Sequence, residues 1–321
     1  MNLPIATLFH ISDLHFGNQF FNKITSLKKI QSATPLKHFF IHDYQIACSL
    51  GKRINKIIAD RKDNDIPCCV VFTGDLTSSG KDLQFVTGSN FLRSKIFVST
   101  SRHSGLNLGI DRVEFEYQEP SLVSVPGNHD IWRRILPSKA SYDSYFPDGY
   151  PKQWKIKTKN KLVYLYGLYS VENDVVKGDI LARGRVDKTE LDNLVQKIQN
   201  NKKNNDSIHI VFLHHPLIEI SKGVLGSKMN LDNRDYVRSK LYGIADLILS
   251  GHSHINDFSA ANPAIKWPAN AIVGTATQML SSNNFLLIDI YDAELWLEVF
   301  DYDDKWKEFV PRPEKPKIIK I

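Results

Sequence analysis

Five places in the chain set carboxylate, imidazole and amide side chains directly after a run of apolar residues. "TLFHIS" leads into Asp13-Leu14-His15, "CCVVFT" into Gly74-Asp75, and "SLVSVP" into Gly127-Asn128-His129-Asp130. "IHIVFL" leads into His214-His215-Pro216, and "ADLILS" into Gly251-His252-Ser253-His254. Oxygen and nitrogen donors of these types suit Mn, Fe, Co, Ni or Zn. No cysteine cluster accompanies them, as a thiolate-rich structural zinc site would require. The set is too large for one tetrahedral ion and suits two ions that share a carboxylate. Two ions about 3.5–4 Å apart clamp the attacking and leaving oxygens of phosphoryl transfer.

Spacing supports convergence. Asp13 and His15 are two residues apart, as are His252 and His254. In extended backbone, such pairs project to one side. In an open α/β sheet, sites form at the carboxyl ends of strands, where these motifs fall. Gly74, Gly127 and Gly251 are expected to make sharp turns without a side chain to crowd an ion.

The elements that must position the motifs are strands alternating with helices. Strands are predicted over 5–11, 68–73, 121–125, 162–168, 207–213, 245–250, 271–275, 285–291 and 294–302, the last two joined by a hairpin turn at Asp292-Ala293. Near-continuous apolar character in the earlier runs suits strands covered on both faces. Ile46, Leu50, Ile54, Ile57 and Ile58 recur at helical spacing. So do Leu191, Leu194, Val195 and Ile198, behind an Asp187/Glu190 capping box. A shorter helix is expected near Tyr236–Tyr242. The pattern predicts an α/β fold with mixed sheets. One domain over 1–310 is expected, with insertions near 17–40 and 78–118 and a flexible basic tail at 311–321.

Composition narrows the class. Of 321 residues, 42% are hydrophobic and 24% charged, which predicts a substantial core and excludes wholesale disorder. A net charge of +6 favours anionic ligands. Three cysteines are too few for a disulfide framework, and a reducing, cytoplasmic location is expected. No apolar run reaches membrane-spanning length, and the first residues carry no signal-peptide pattern.

The ordered set DLH, GD, GNHD, H and GHSH resembles the calcineurin-like metallophosphoesterase superfamily. The resemblance runs from Asp13 to His254, and the strand-rich end is similar to that family's closing sheet. It implies a four-layer fold of two mixed β-sheets packed face to face and flanked by helices. It implies a first metal held by Asp13, His15, Asp75 and His254, and a second by Asp75, Asn128, His214 and His252, with Asp75 bridging. Mn or Fe are favoured among the possible metals. His214, directly after its strand, is taken as the ligand over His215, which would pack or touch substrate. His129 would face the phosphate as a catalytic group, the alternative being a structural hydrogen bond. Asp130 would orient His129 or cap the segment from Ile131. Arg133 and Arg134 would reach substrate phosphate or form an exposed pair; Arg102, His103 and Arg112 carry the same alternatives. His10, His38, His42 and His209 are expected to be structural or surface residues, with His10 and His209 facing the core.

An intact GNHD with HHP resembles the phosphodiesterase branch, including class III cyclic-nucleotide phosphodiesterases. Leu217 stands where many of those enzymes have a second proline, and the segments at 17–40 and 78–118 are additions to the minimal pattern. The expected substrate is a nucleotide-type phosphodiester, a cyclic nucleotide first. The alternatives are a nuclease, a nucleotide-diphosphate pyrophosphohydrolase, or a non-enzymatic scaffold. Nucleic acid is a possible partner, although no basic stripe with aromatic platforms shows in the sequence. The motifs leave the oligomeric state open.

Overall fold

The structure is a computed structural model that describes residues 3–17, 42–93, 120–131, 140–147, 151–171, 183–204, 206–218, 230–278 and 282–321. Most of the two expected insertions lies outside the described residues. His38, Arg102, His103, Arg112, Arg133 and Arg134 lie outside them as well.

In chain order the elements begin with strand β1 (Ala6–Ile11), helix α1 (Tyr44–Lys62), β2 (Cys68–Phe72), α2 (Asp82–Leu92) and β3 (Leu122–Ser124). The short helices α3 (Asn128–Ile131) and α4 (Ala140–Tyr145) follow, then β4 (Lys152–Lys157) and β5 (Leu162–Gly167). Next come α5 (Lys188–Asn204), β6 (Ser207–Phe212), α6 (Arg234–Leu241), β7 (Leu247–Ser250), β8 (Asp257–Ser259) and β9 (Asn270–Ile272). Four strands close the chain: β10 (Asn284–Ile290), β11 (Glu294–Asp303), β12 (Glu308–Pro311) and β13 (Lys317–Lys320).

The strands form two mixed sheets. The first runs β12-β11-β10-β1-β2-β3, with β13 pairing the other end of the β11 edge; the second runs β4-β5-β6-β7-β9-β8. Strands β1, β2 and β3 are parallel to one another, as are β5, β6, β7 and β9.

Side-chain alternation builds the layers. Phe9 and Ile11 of β1, with Cys68, Val70 and Phe72 of β2, meet Ile46, Leu50, Ile54 and Ile58 of α1. The intervening Leu8, Cys69 and Val71 point the other way and pack on Leu165, Ile210, Phe212 and Leu249 of the second sheet. Tyr164, Tyr166, Val211 and Ile248 form that sheet's outer face, under Leu191, Leu194, Ile198 and Val237 of α5 and α6. The order is helices, sheet, sheet, helices, as expected. Because both faces of the inner strands β1, β2, β6 and β7 are covered, their apolar runs are continuous rather than alternating. Burying each α1 isoleucine or leucine contributes about 1.5–3 kcal/mol.

Local signals hold with some changes of partner. Asp43 caps α1, its carboxylate accepting from the Gln45 and Ile46 N–H groups at 2.7 and 3.2 Å. Asp187 accepts from the Glu190 N–H at 2.9 Å, and the Glu190 carboxylate accepts from Tyr169 N–H at 2.8 Å. The helix start is thus tied to the end of β5. His10 and His209 are fully buried, bonded to Thr73 Oγ1 and to Tyr166 Oη respectively, both at 3.0 Å.

The tail is a correction. Lys317–Lys320, expected to fray, pairs antiparallel with Glu294–Leu297. Ile319 enters the core between the sheets while Ile318 faces out, so one buried side chain and the pairing with β11 dock the strand. Strand β4 was hidden by its lysines. Only Ile156 and Lys152 are buried along it, with Lys152 Nζ donating to the Phe146 carbonyl at 3.0 Å, and the rest is exposed or partly so, as suits an edge.

Candidate metal centre

All five motifs follow parallel strands, and the parallel direction carries them to one end of the molecule. Asp13 and His15 follow β1, Asp75 follows β2, and Asn128 opens α3 after β3. His214 follows β6, and His252 and His254 follow β7. The first sheet supplies both candidate ligand carboxylates and the second supplies three imidazoles.

The donors converge in three groups, of which His15, Asp75 and His129 form the one that links the other two. Asp13, His15 and His254 present atoms close enough to share an ion, as do Asp75, His214 and His252. In the first group, Asp13 Oδ1 lies 3.2 Å from His254 Nε2 and 3.7 Å from His15 Nε2. In the second, His214 Nε2 lies 3.0 Å from Asn128 Oδ1 and 3.1 Å from His252 Nδ1. Asp75 Oδ2 stands between them, 3.8 Å from His15 Nε2 and 3.4 Å from His214 Nε2. Its other oxygen accepts the His129 backbone N–H at 2.8 Å. One carboxylate oxygen is therefore left to serve both groups.

The backbone reaches this geometry by a different route from the expected one. Asp13, His15, Asp75, His252 and His254 all have positive φ, between 49° and 68°. They sit in left-handed backbone, not extended strand, and non-glycine residues enter that region at a cost. Asp13 and His15 still share one donor group, whereas His252 and His254 divide between two. The glycines crowd the ligands rather than an ion. A Cβ at Gly127 would stand 2.1 Å from Asp75 Oδ1, and one at Gly251 would stand 1.9 Å from Ser12 Oγ and 2.8 Å from Asp13 Oδ2.

Supporting hydrogen bonds set the imidazoles. His214 Nδ1 donates to the Thr73 carbonyl at 2.7 Å, and His254 Nδ1 to Gln278 Oε1 at 2.8 Å. Each bond fixes the tautomer and turns the Nε2 lone pair inward. His42 Nδ1 donates to the Leu14 carbonyl and holds the turn between Asp13 and His15. No motif pointed to Gln278 or His42. They act on the site through separations of 24 and 28 residues, which only folding closes.

One expected role differs in the structure, and a second takes one of its two expected alternatives. The Asp130 carboxylate accepts from the backbone N–H groups of Leu76, Thr77 and Gly127 at 3.2, 2.8 and 3.0 Å. It braces the turn that carries Asp75, and its carboxylate bonds do not run to the His129 ring. That ring is set instead by Nδ1 donating to the Ser78 carbonyl at 3.1 Å. His215 is fully buried, bonded to Ser170 Oγ at 3.0 Å and packed 4.5 Å from the His252 ring. It backs His252, which is the packing alternative expected of it. Arg133, the other expected substrate contact, lies outside the described residues.

The electrostatics call for positive charge. Asp13 and Asp75 are essentially inaccessible to water. Burial alone would raise their carboxyls, yet the imidazoles, His254 beside Asp13 and His214 beside Asp75, hold both well below the usual range. Burial would lower His214, but the Asp75 charge pushes it up to about 9. A buried carboxylate pair needs such a counter-charge. In addition, among the described residues Asp13 Oδ1 is buried without a hydrogen-bond donor, its near neighbour being His254 Nε2 at 3.2 Å. Orphaned carboxylate oxygen, converging imidazole lone pairs and shared Asp75 fit two cations bound side by side.

Comparisons with known proteins agree. No curated protein sequence matches the chain at a significant level. A dimetal phosphatase from Danio rerio has a similar structure, with a TM-score of 0.60 at 12% identity and 99% of each chain covered. A 5'-nucleotidase from Candida albicans aligns with a TM-score of 0.48 at 12% identity, over 96% of this chain and 54% of that one. At 12% identity the likeness to the Danio rerio protein is one of fold alone. The sequence model of the calcineurin-like phosphoesterases matches residues 6–256, which takes in every motif from Asp13 to His254, and the chain belongs to that family of metallophosphoesterases.

Proposed function

We propose that this chain is a two-metal phosphodiesterase acting on a nucleotide-type phosphodiester, a cyclic nucleotide first. The observation that carries the two-metal reading is the single Asp75 oxygen between two donor groups. Asp13, His15, Asp75 and His254 would hold one ion; Asp75, Asn128, His214 and His252 would hold the other. Bound ions would supply Lewis-acid charge to the phosphoryl oxygens and lower the pKa of an attacking water. Oxygen and nitrogen donors without sulfur suit Mn or Fe.

His129 would handle the proton. Burial pushes its imidazole down to about 4 although Asp75 pulls the other way, so the ring is neutral at pH 7. With Nδ1–H on the Ser78 carbonyl, Nε2 is the basic atom. An arriving phosphoryl anion opposes the effect of burial. Nε2 would then take a proton from solvent as substrate binds and hand it to the leaving oxygen. Asp130, bonded to three backbone N–H groups, would keep the Asp75 turn from shifting as charge changes nearby.

The test is hydrolysis by protein loaded in turn with Mn, Fe, Zn, Co and Ni. Substrates are bis(p-nitrophenyl) phosphate, p-nitrophenyl phosphate, cyclic nucleotides, single-stranded DNA and nucleotide diphosphates. Cleavage of bis(p-nitrophenyl) phosphate with two ions per chain is expected. Hydrolysis of the monoester alone would replace the phosphodiesterase reading with a phosphatase one. No turnover with any metal would remove the enzymatic reading.

A further inference from the structure

A cleft of about 560 Å³ opens between α1 and the turn joining β11 to β12. Helix α1 contributes Ser49, Lys52, Arg53 and Lys56, and the turn contributes Trp306 and Lys307. Arg53 pairs with Glu308 at 3.5 Å, and Lys307 with Asp304 at 3.1 Å. Among the described residues, no carboxylate pairs with Lys52 or Lys56. These two cations stand one helical turn apart on one face, a placement that costs stability unless an anion lies between them. Ser49, one turn before Lys52, is buried, and among the described residues its hydroxyl has no hydrogen-bond partner. Trp306 is 64% exposed at the tip of the turn, with Lys305 Nζ 4.8 Å from its ring centre. An exposed indole beside uncompensated lysines and an unused buried hydroxyl is a place for a flat ring joined to a phosphate.

We propose that this cleft is a second binding site, separate from the metal centre, that takes a nucleoside phosphate. The base stacks on Trp306, as bases do on aromatic platforms, and the phosphate is held by Lys52, Lys56 and the Ser49 hydroxyl. A volume of this size matches a small-molecule site. Topology places the cleft at the metal end of the first sheet. Asn284, at the start of β10, pairs with Asp301 just before the turn, and β1 runs antiparallel to β10 towards Asp13. Asp43, where α1 begins, bonds Thr277 next to Gln278. The lysines and the tryptophan lie some 250 residues apart in the chain, so no local pattern shows the pairing. The site does not depend on the proposed phosphodiesterase activity.

The experiment is a tryptophan-fluorescence titration of the metal-loaded protein with adenosine 5'-(α,β-methylene)diphosphate, which resists hydrolysis between its phosphorus atoms. Adenosine, inorganic phosphate and hexadeoxyadenylate are run in parallel. Saturable quenching by the nucleotide is expected. It should vanish in Trp306→Leu, and the affinity should fall at least about tenfold in Lys52→Glu/Lys56→Glu. Metal content and melting temperature should match the unmodified protein, because all three side chains are surface groups. Tighter binding of the hexanucleotide assigns the natural ligand to a single strand, and tighter binding of the mononucleotide assigns it to a free nucleotide. Undiminished affinity in the lysine variant, equal affinity for phosphate or adenosine alone, or no quenching at millimolar nucleotide would each overturn the site.

Discussion

The two halves of the candidate metal centre are held by different means. On the Asp13 side, His254 keeps 19% of its side chain exposed and takes its orientation from the side chain of Gln278. On the other side, His214 is wholly buried and anchored by the backbone carbonyl of Thr73, at the end of β2. A backbone anchor at a strand end cannot be removed by substitution and moves only with the sheet. A side-chain anchor on the segment after β9 can be lost alone. The Asp13 side is therefore the adjustable half, and the His214 side is the rigid one.

The largest expected effect comes from the residue both halves share. Asp75→Asn removes the bridging charge, so metal content by mass spectrometry should fall and activity should drop by more than about 100-fold, beyond the range for groups one step removed from a metal. Two ions and ordinary turnover in that variant would end the bridging role. His129→Ala should leave both halves metallated, and should lower the rate on poor leaving groups by about 10²–10⁴-fold. Loss of metal there would instead make His129 a ligand.

Gln278→Ala tests the asymmetry itself. Affinity for one ion should weaken by about 10–100-fold while the other stays bound. Chelator titrations that lose both ions together would show that the halves are not independent. The smallest effect concerns acid stability. Burial pushes His10 down to about 3 and His209 down to about 4. Between their unfolded value near 6.5 and those values, the unfolded chain binds protons that the native state refuses. Stability should therefore fall as pH drops through that window, by at most about 1.4 kcal/mol per pH unit for each histidine. Urea midpoints at pH 7, 6 and 5 measure the slope, and His209→Gln should flatten it. An unchanged slope would mean that His209 accepts its proton in the folded state.

Much of the positioning was legible because it follows from strand direction. A parallel strand must deliver the residue after it to one end of its sheet, so Asp13, Asp75, Asn128, His214 and His252 could be expected to meet. Partners across the fold were not legible. Asp130 reads as a neighbour of His129, yet its carboxylate finds three backbone N–H groups, two of them more than fifty residues away. His215 reads like His214, yet the alternation of a buried strand end turns it away towards Ser170.

The order of motifs, the apolar periodicities and the donor types were set by the sequence alone, since each depends on residue identity and on local repeats of two or 3.6. The tertiary structure decided the rest. It chose left-handed backbone at five candidate ligands, gave His254 its Gln278, docked the tail beside β11 and brought Trp306 to the lysines of α1. Those outcomes depend on contacts between segments far apart in the chain, and their energies come from burial and hydrogen bonding that exist only once the two sheets have closed on each other.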